Sequence, residues 1–229
     1  MTRFLAAQAV AITVKSLGQL LCQVESSQIS RVPAHGPLIL VCNHINFLDG
    51  PLVYALLQPR PVTGFAKSET WDNHLLGPMF SLCGAIPLHR GQVDRAALQH
   101  GLHALEQNKI LIITPEGTRN RYGQLLPAHA GMVTLAHQSQ APILPLASFG
   151  GEAFRTNIRH LRRTQFHLRV GQSFRIRLSP CARLDRSMRS KITDEIMYQM
   201  AILLPPQYRG RYADLGKATT EFLDFDGNE

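Results

Sequence analysis

Two short, unbroken apolar runs constrain this chain most: Leu38-Ile39-Leu40-Val41-Cys42 and Ile110-Leu111-Ile112-Ile113. Runs this short, rich in branched residues and free of polar alternation, read as buried strands of a sheet with helices packed on it. The segments around them keep that rhythm. Helical spacing is expected over 48–57, 71–82, 94–107 and 127–137, and strands over 62–66, 84–88 and 143–147. Pro59 and Pro61 bracket a break. The alternation Phe166, Leu168, Val170 and then Phe174, Ile176, Leu178 predicts a hairpin turning at Gly171-Gln172. A last helix carries Ile192, Ile196, Met200 and Leu203 up to Pro205-Pro206. Strands alternating with helices imply an α/β fold with a mixed, mostly parallel sheet flanked by helices. The 229 residues suffice for one buried core and are short for two. The organisation expected is therefore an N-terminal helix over 1–25, one domain over 26–213, and a polar tail over 214–229 that frays.

In the N-terminal segment Val10, Val14, Leu17, Leu21 and Val24 recur at spacings of four and three, while Gln8, Lys15, Gln19 and Gln23 fall elsewhere on the wheel. This is an amphipathic helix, which either packs on the domain or lies in a membrane interface. Its polar residues interrupt the run too often for a membrane span or a cleavable signal.

Charge is concentrated. Between Glu152 and Lys191 ten Arg and one Lys face only Glu152 and Asp185, although the whole chain carries a net charge of +8. An anionic neighbour is implied, or else a solvated face. Nucleic acid is disfavoured, since aromatics are 7% of residues and no helix-turn-helix or zinc-finger spacing occurs. Anionic membrane, an acidic carrier protein or a phosphorylated substrate fits better. Cys22, Cys42, Cys83 and Cys181 form no Cys-x-x-Cys pair and read as buried thiols of a reducing compartment, not as metal ligands.

Directly after the first apolar run comes Asn43-His44-Ile45-Asn46-Phe47-Leu48-Asp49. A carboxylate five positions after a histidine at a strand mouth can hold the imidazole in one tautomer, the base and orienter of a triad without its nucleophile. No Gly-x-Ser-x-Gly elbow exists, so the base most simply deprotonates a hydroxyl of the substrate. Alone the spacing is weak, because chance supplies about one such pair in every three chains of this composition. Two further segments add weight. Gly84-x-Ile86-x-x-x-Arg90 sets a guanidinium after a strand, where it can hold a phosphate. Thr114-Pro115-Glu116-Gly117-Thr118-Arg119 adds a turn with exposed amides and a second guanidinium, which Glu116 is expected to orient.

In order and spacing, these blocks and the proline-spaced strand Pro142-Ile143-Leu144-Pro145 resemble the four blocks of the glycerolipid acyltransferase family, of the 1-acyl-sn-glycerol-3-phosphate acyltransferase type. Ala66-Lys67-Ser68-Glu69 resembles a further family segment. The resemblance implies transfer of a fatty acyl group from coenzyme A or acyl carrier protein to a lysophospholipid acceptor, without metal, cofactor or covalent enzyme intermediate. By position it implies His44 as general base and Asp49 as its orienter. Arg90, Glu116, Gly117, Thr118 and Arg119 fall to the acceptor's phosphate, and Pro145 to the acyl-donor side. It also implies work at a membrane, peripheral or monotopic on the cytoplasmic face, which favours the interfacial reading of the first helix. An oxyanion forms during such a transfer, and amides following His44 or in the Glu116-Gly117 turn are candidates to stabilise it. Asn46, His89 and Thr114 depart from the usual residues of the family and bear on which lipid is accepted. Another lysophospholipid or amphiphilic alcohol is the alternative acceptor, and a non-catalytic lipid-binding module the alternative class.

Overall fold

The structure, a computed structural model, describes residues 2–225 of the chain. It opens with α1 (Thr2–Leu21), β1 (Cys22–Glu25), β2 (Leu38–Cys42), α2 (Asp49–Leu56) and β3 (Val62–Lys67). Then come α3 (Leu76–Leu82), β4 (Ile86–Leu88), α4 (Arg95–Glu106), β5 (Ile110–Ile113), α5 (Gly131–Ser139) and β6 (Ile143–Phe149). The last third holds α6 (Phe154–Arg159), β7 (Thr164–Val170), β8 (Arg175–Ile176), α7 (Arg186–Leu203) and β9 (Leu223–Asp224).

The main sheet has the order β1-β7-β6-β2-β5-β3-β4, parallel at every junction except β6 with β7. The mixed, mostly parallel α/β architecture is thus the one read from the sequence. The central strands are buried on both sides, which is why their runs show no polar alternation. Ile39 and Val41 join Leu111 and Ile113 in a core covered by α4, α5 and α7; Leu38, Leu40 and Cys42 face the opposite layer with α2 and Phe154. Because β2 through β6 are parallel, their carboxyl ends share one edge. The chain leaves β2 toward β3 on one side and later returns with β6 on the other, so that edge contains the crevice where open α/β sheets bind ligands.

Four expectations are corrected. The hairpin at Gly171-Gln172 does not form. The chain instead keeps running along β6, with Val170 opposite Leu146 and Phe174 opposite Ile143, so three residues on one strand face two on the other. That one-residue bulge turns Phe174 and Ile176 to the sheet face opposite Phe166, Leu168 and Val170. β8 pairs with β9 in a separate ribbon. The stretch from Asp214, expected to fray, is packed as far as Phe225, because buried Glu195 accepts from Thr219 Oγ1 and from the amides of Glu221 and Phe222; residues 226–229 lie outside the described residues. The helix expected over 71–82 begins at Leu76, where Asn73 Oδ1 accepts the Leu75 and Leu76 amides. Cys181 is exposed and Cys83 half-buried, so only Cys22 and Cys42 are buried thiols.

The first helix ends at Leu21, and Val24 belongs to a strand. Small residues make its contact face: Ala11 and Gly18 are buried, and a Cβ on Gly18 would meet Leu52 at 3.0 Å. Ile12, Leu17 and Leu20 remain exposed. One face of the helix is thus packed on the domain and the other is bare. No helix among the described residues is long and apolar enough to cross a membrane.

Candidate active site

Where β2 ends, the chain turns outward and is tied down by side chains. Asn43, buried, donates from Nδ2 to the Ser148 carbonyl at 2.8 Å and accepts the Ser148 amide at 2.7 Å, joining the ends of β2 and β6. Asn46 does the same one turn later, donating to the Gly151 carbonyl at 2.7 Å and accepting the Leu48 amide at 2.7 Å. Between them stands His44. Its Nδ1 lies 3.0 Å from Asp49 Oδ2, which also accepts the Ile45 amide at 2.6 Å and the Asn46 amide at 2.8 Å. Three donors on one oxygen fix both the carboxylate and the loop that carries the imidazole. The Asp49 side chain is 4% exposed and that of His44 is 21% exposed, so the imidazole is reachable and the carboxylate is not. With Nδ1–H donated to Asp49, Nε2 is left as the proton acceptor, and it takes no hydrogen bond among the described residues.

Glu116 occupies a different place from the one expected. Both its oxygens are engaged by backbone: Oε1 accepts the His44 amide at 3.0 Å and Oε2 the Leu126 amide at 2.9 Å. It braces the backbone of His44 and, among the described residues, does not pair with Arg119. Burial pushes its carboxyl up to about 7, against the pull of the Leu126 and His44 amides, and the charge of Asp49 adds to the rise. The turn that delivers it needs glycine. Gly117 has φ of 65° and bonds the Thr114 carbonyl at 3.0 Å, and a Cβ there would press on His129. Three residues on, the Asn120 amide donates to the His44 carbonyl at 2.9 Å, so the loop bearing Thr118 and Arg119 is fastened beside the histidine. Thr118 and Arg119 are exposed.

The amides expected to stabilise an oxyanion are mostly occupied. Those of Ile45 and Asn46 go to Asp49, and that of Gly117 to Thr114. Arg90 is exposed after β4 on the same carboxyl edge, and with Lys67 it helps hold the Glu69 carboxyl low, after Glu69's own amide and Ser68. Pro145 is buried inside β6 opposite Val41, and its carbonyl accepts the Gly171 amide. Cys42, beside the site, is no competing nucleophile: burial raises its thiol far above neutrality, with Asp49 adding to the effect.

Sequence reasoning brought His44 and Asp49 together but missed Ser148, Gly151, Asn120 and Leu126. Those four act through contacts far along the chain or through backbone atoms, which leave no local pattern. A signal did exist for Asn43, which begins the motif. A cavity of about 400 Å³ continues from the end of β6, bounded by Phe149, Glu152 and Tyr208. The larger one, about 670 Å³, lies between Lys15, Gln23 and Leu56, and His44 lines neither.

Residues 23–148 match the model of a family described as Acyltransferase. The chain is 39% identical over 116 residues to a 1-acyl-sn-glycerol-3-phosphate acyltransferase of Limnanthes douglasii, covering 49% of this chain and 41% of that one. It is 27% identical over 128 residues to the enzyme of that name from Bacillus subtilis, covering 54% of this chain and 63% of that one. The chain thus spans about half the length of such relatives. Among solved structures, the 1-acyl-sn-glycerophosphate acyltransferase PlsC of Thermotoga maritima superposes with a TM-score of 0.58 at 22% identity, over 83% of this chain and 78% of that one, a likeness of fold.

Proposed function

The chain belongs to the acyltransferase family, and from that premise we propose that it moves a fatty acyl group from an acyl thioester to the free hydroxyl of 1-acyl-glycerol-3-phosphate, giving phosphatidic acid. One observation carries this reading: His44, locked through Nδ1 to Asp49, keeps Nε2 unengaged on the sheet edge that also bears Arg119. Nε2 takes the proton of the acceptor hydroxyl while its oxygen attacks the thioester carbonyl. The tetrahedral oxyanion collapses, the carbon–sulfur bond breaks, and the departing thiolate recovers the proton from the imidazolium. Asp49 keeps the ring aimed and steadies its transient charge. The thioester's coenzyme A or carrier protein is a co-substrate, and no cofactor takes part.

Arg90, Thr118 and Arg119 fit the phosphate of the acceptor, two guanidinium groups and a hydroxyl at the mouth of the crevice. Glu116 and Gly117 serve them indirectly, the first by bracing His44 and the second by shaping the turn. The cavity beyond β6 is the space this reading gives to the donor arm, and Pro145, buried within the same strand, is assigned to the acyl-donor side. The site belongs at the cytoplasmic face of a membrane, where the acceptor resides, with the protein peripheral or monotopic on an anionic surface.

A second acceptor reading has its own support. His89 stands exposed before Arg90, and Asn46 is consumed by the loop, so headgroup contacts differ from the family's usual set. Another lysophospholipid or amphiphilic alcohol would then be acylated by the same chemistry. The test is a panel of lyso-acceptors with both donor types and purified protein. Phosphatidic acid as main product supports the first reading and a different ester the second. Absence of transfer to every hydroxyl would leave a non-catalytic lipid-binding module.

A further inference from the structure

We propose that the end of α6 is a bilayer-docking element that seats the carboxyl edge of the sheet on anionic lipid. Leu161 is 96% exposed and has φ of 53°. It closes the helix as a C-terminal cap: its amide bonds the Ile158 carbonyl at 3.2 Å and the Arg162 amide bonds the Asn157 carbonyl at 2.9 Å. Glycine or asparagine adopts that left-handed conformation readily, whereas leucine does so at a cost. A bulky apolar side chain in a conformation that disfavours it, fully in water, is doubly unfavourable in the isolated protein. Insertion into hydrocarbon removes the second cost.

The surroundings identify the partner. Exposed Arg155, Arg159, Arg162 and Arg163 flank Ile158 and Leu161 along the chain, and no acidic residue lies between Ala153 and Thr164. An apolar tip flanked by exposed arginines complements an anionic headgroup layer over hydrocarbon. The element is also fixed in orientation. Arg163 donates to the carbonyls of Gln19 and Cys22, at 2.5 and 2.7 Å, linking the tip to the end of α1 with its exposed Leu17 and Leu20. At its other end Phe154 packs edge-to-face with Phe47 of the histidine loop, ring centroids 5.7 Å apart. Since Phe149 of β6 pairs with His167, the start of β7 projects past the carboxyl end of β6. The tip and His44 therefore share one edge, and docking there faces the crevice toward membrane-embedded acceptor. That purpose rests on the acyl-transfer reading; the docking itself does not.

Flotation of the full chain with vesicles of phosphatidylcholine, with and without phosphatidylglycerol, tests it without any substrate. Leu161→Asn keeps the cap conformation and is expected to lower affinity for the mixed vesicles about tenfold. Replacing Arg155, Arg159 and Arg162 by Gln is expected to lower it about a hundredfold and abolish the preference for phosphatidylglycerol. Both variants should melt like the native protein, which separates lost docking from lost fold. Native vesicle affinity in both variants would overturn the proposal. So would intact vesicle binding by the Gln variant with lost binding to acyl carrier protein, which would make the patch a protein site. Failure of acyl transfer with vesicle binding as expected would sink the enzymatic reading alone.

Discussion

Two histidines of this chain stand five residues before an aspartate, His44 before Asp49 and His89 before Asp94, and both pairs meet at 3.0 Å between Nδ1 and Oδ2. Their settings differ in where the imidazole stands. Asp49 is buried, and its bonded oxygen gathers the amides of the histidine's own loop. Asp94 is the N-cap of α4: Oδ1 accepts the Ala97 amide, and Oδ2 accepts the amide of His89 as well as its ring. These bonds, the Ala97 amide first, hold its carboxyl down to about 2. His89 is 61% exposed. Water surrounds its ring, whereas His44 sits in a wall built from Asn43, Glu116 and Asn120. Spacing and distance alone thus do not mark a catalytic pair. The distinguishing mark is burial of the histidine, 21% exposed in the first pair and 61% in the second, since both aspartates are largely buried and both accept backbone amides.

Substitution can break the comparison or sharpen it. The largest effect is expected from His44→Ala, a loss in kcat of roughly 10²–10⁴-fold, with His89→Ala within about twofold of native as an ordinary surface change. Equal losses in both would erase the distinction. Next, Asp49→Asn should slow turnover about a hundredfold or more by leaving the ring unoriented. Asp94→Asn should be nearly silent, since asparagine caps helices as well as aspartate. For the phosphate edge, Arg119→Ala is expected to raise KM for a phosphorylated acceptor about ten- to a hundredfold with kcat little changed. An unaltered KM would remove Arg119 from that role.

The smallest effect concerns Glu116 and is one of stability. Its carboxyl is raised in the folded chain from about 4.3 to about 7. The folded state therefore binds this proton more tightly, a contribution fully present at low pH and lost as pH rises through that window. Glu116→Gln should flatten the fall in stability across it in urea unfolding, at a general cost of about 1–3 kcal/mol because its NH₂ faces one backbone donor. An unchanged slope would show that another group titrates there.

Much of this was legible in residue order wherever the physics is local. Ile110–Ile113 is a strand with the bounds its apolar run predicts, and Asp94 and Gln107 flank α4 as its caps. His44 and Asp49 were legible because motif and contact lie within one turn. What escaped depends on partners distant in sequence. Glu116 looked like the mate of Arg119 next door, yet its bonds reach back to His44 and forward to Leu126. The bulge after Val170 cannot be told from a hairpin by alternation, since both reverse which face is apolar. Helix α5 begins at Gly131, later than its composition suggests, because the His129 amide is taken by the Pro115 carbonyl. The second His-x4-Asp pair has the same spacing in the sequence, and burial of the histidine separates it from the first.

The claim that most needs testing is that His44 and Asp49 act as one unit. The decisive measurement is single-turnover acyl transfer by His44→Ala, Asp49→Asn and the double variant, at saturating donor and acceptor. If Asp49 works through the imidazole, the double variant is no slower than His44→Ala alone. Losses that multiply, or near-native transfer by His44→Ala, would contradict the account.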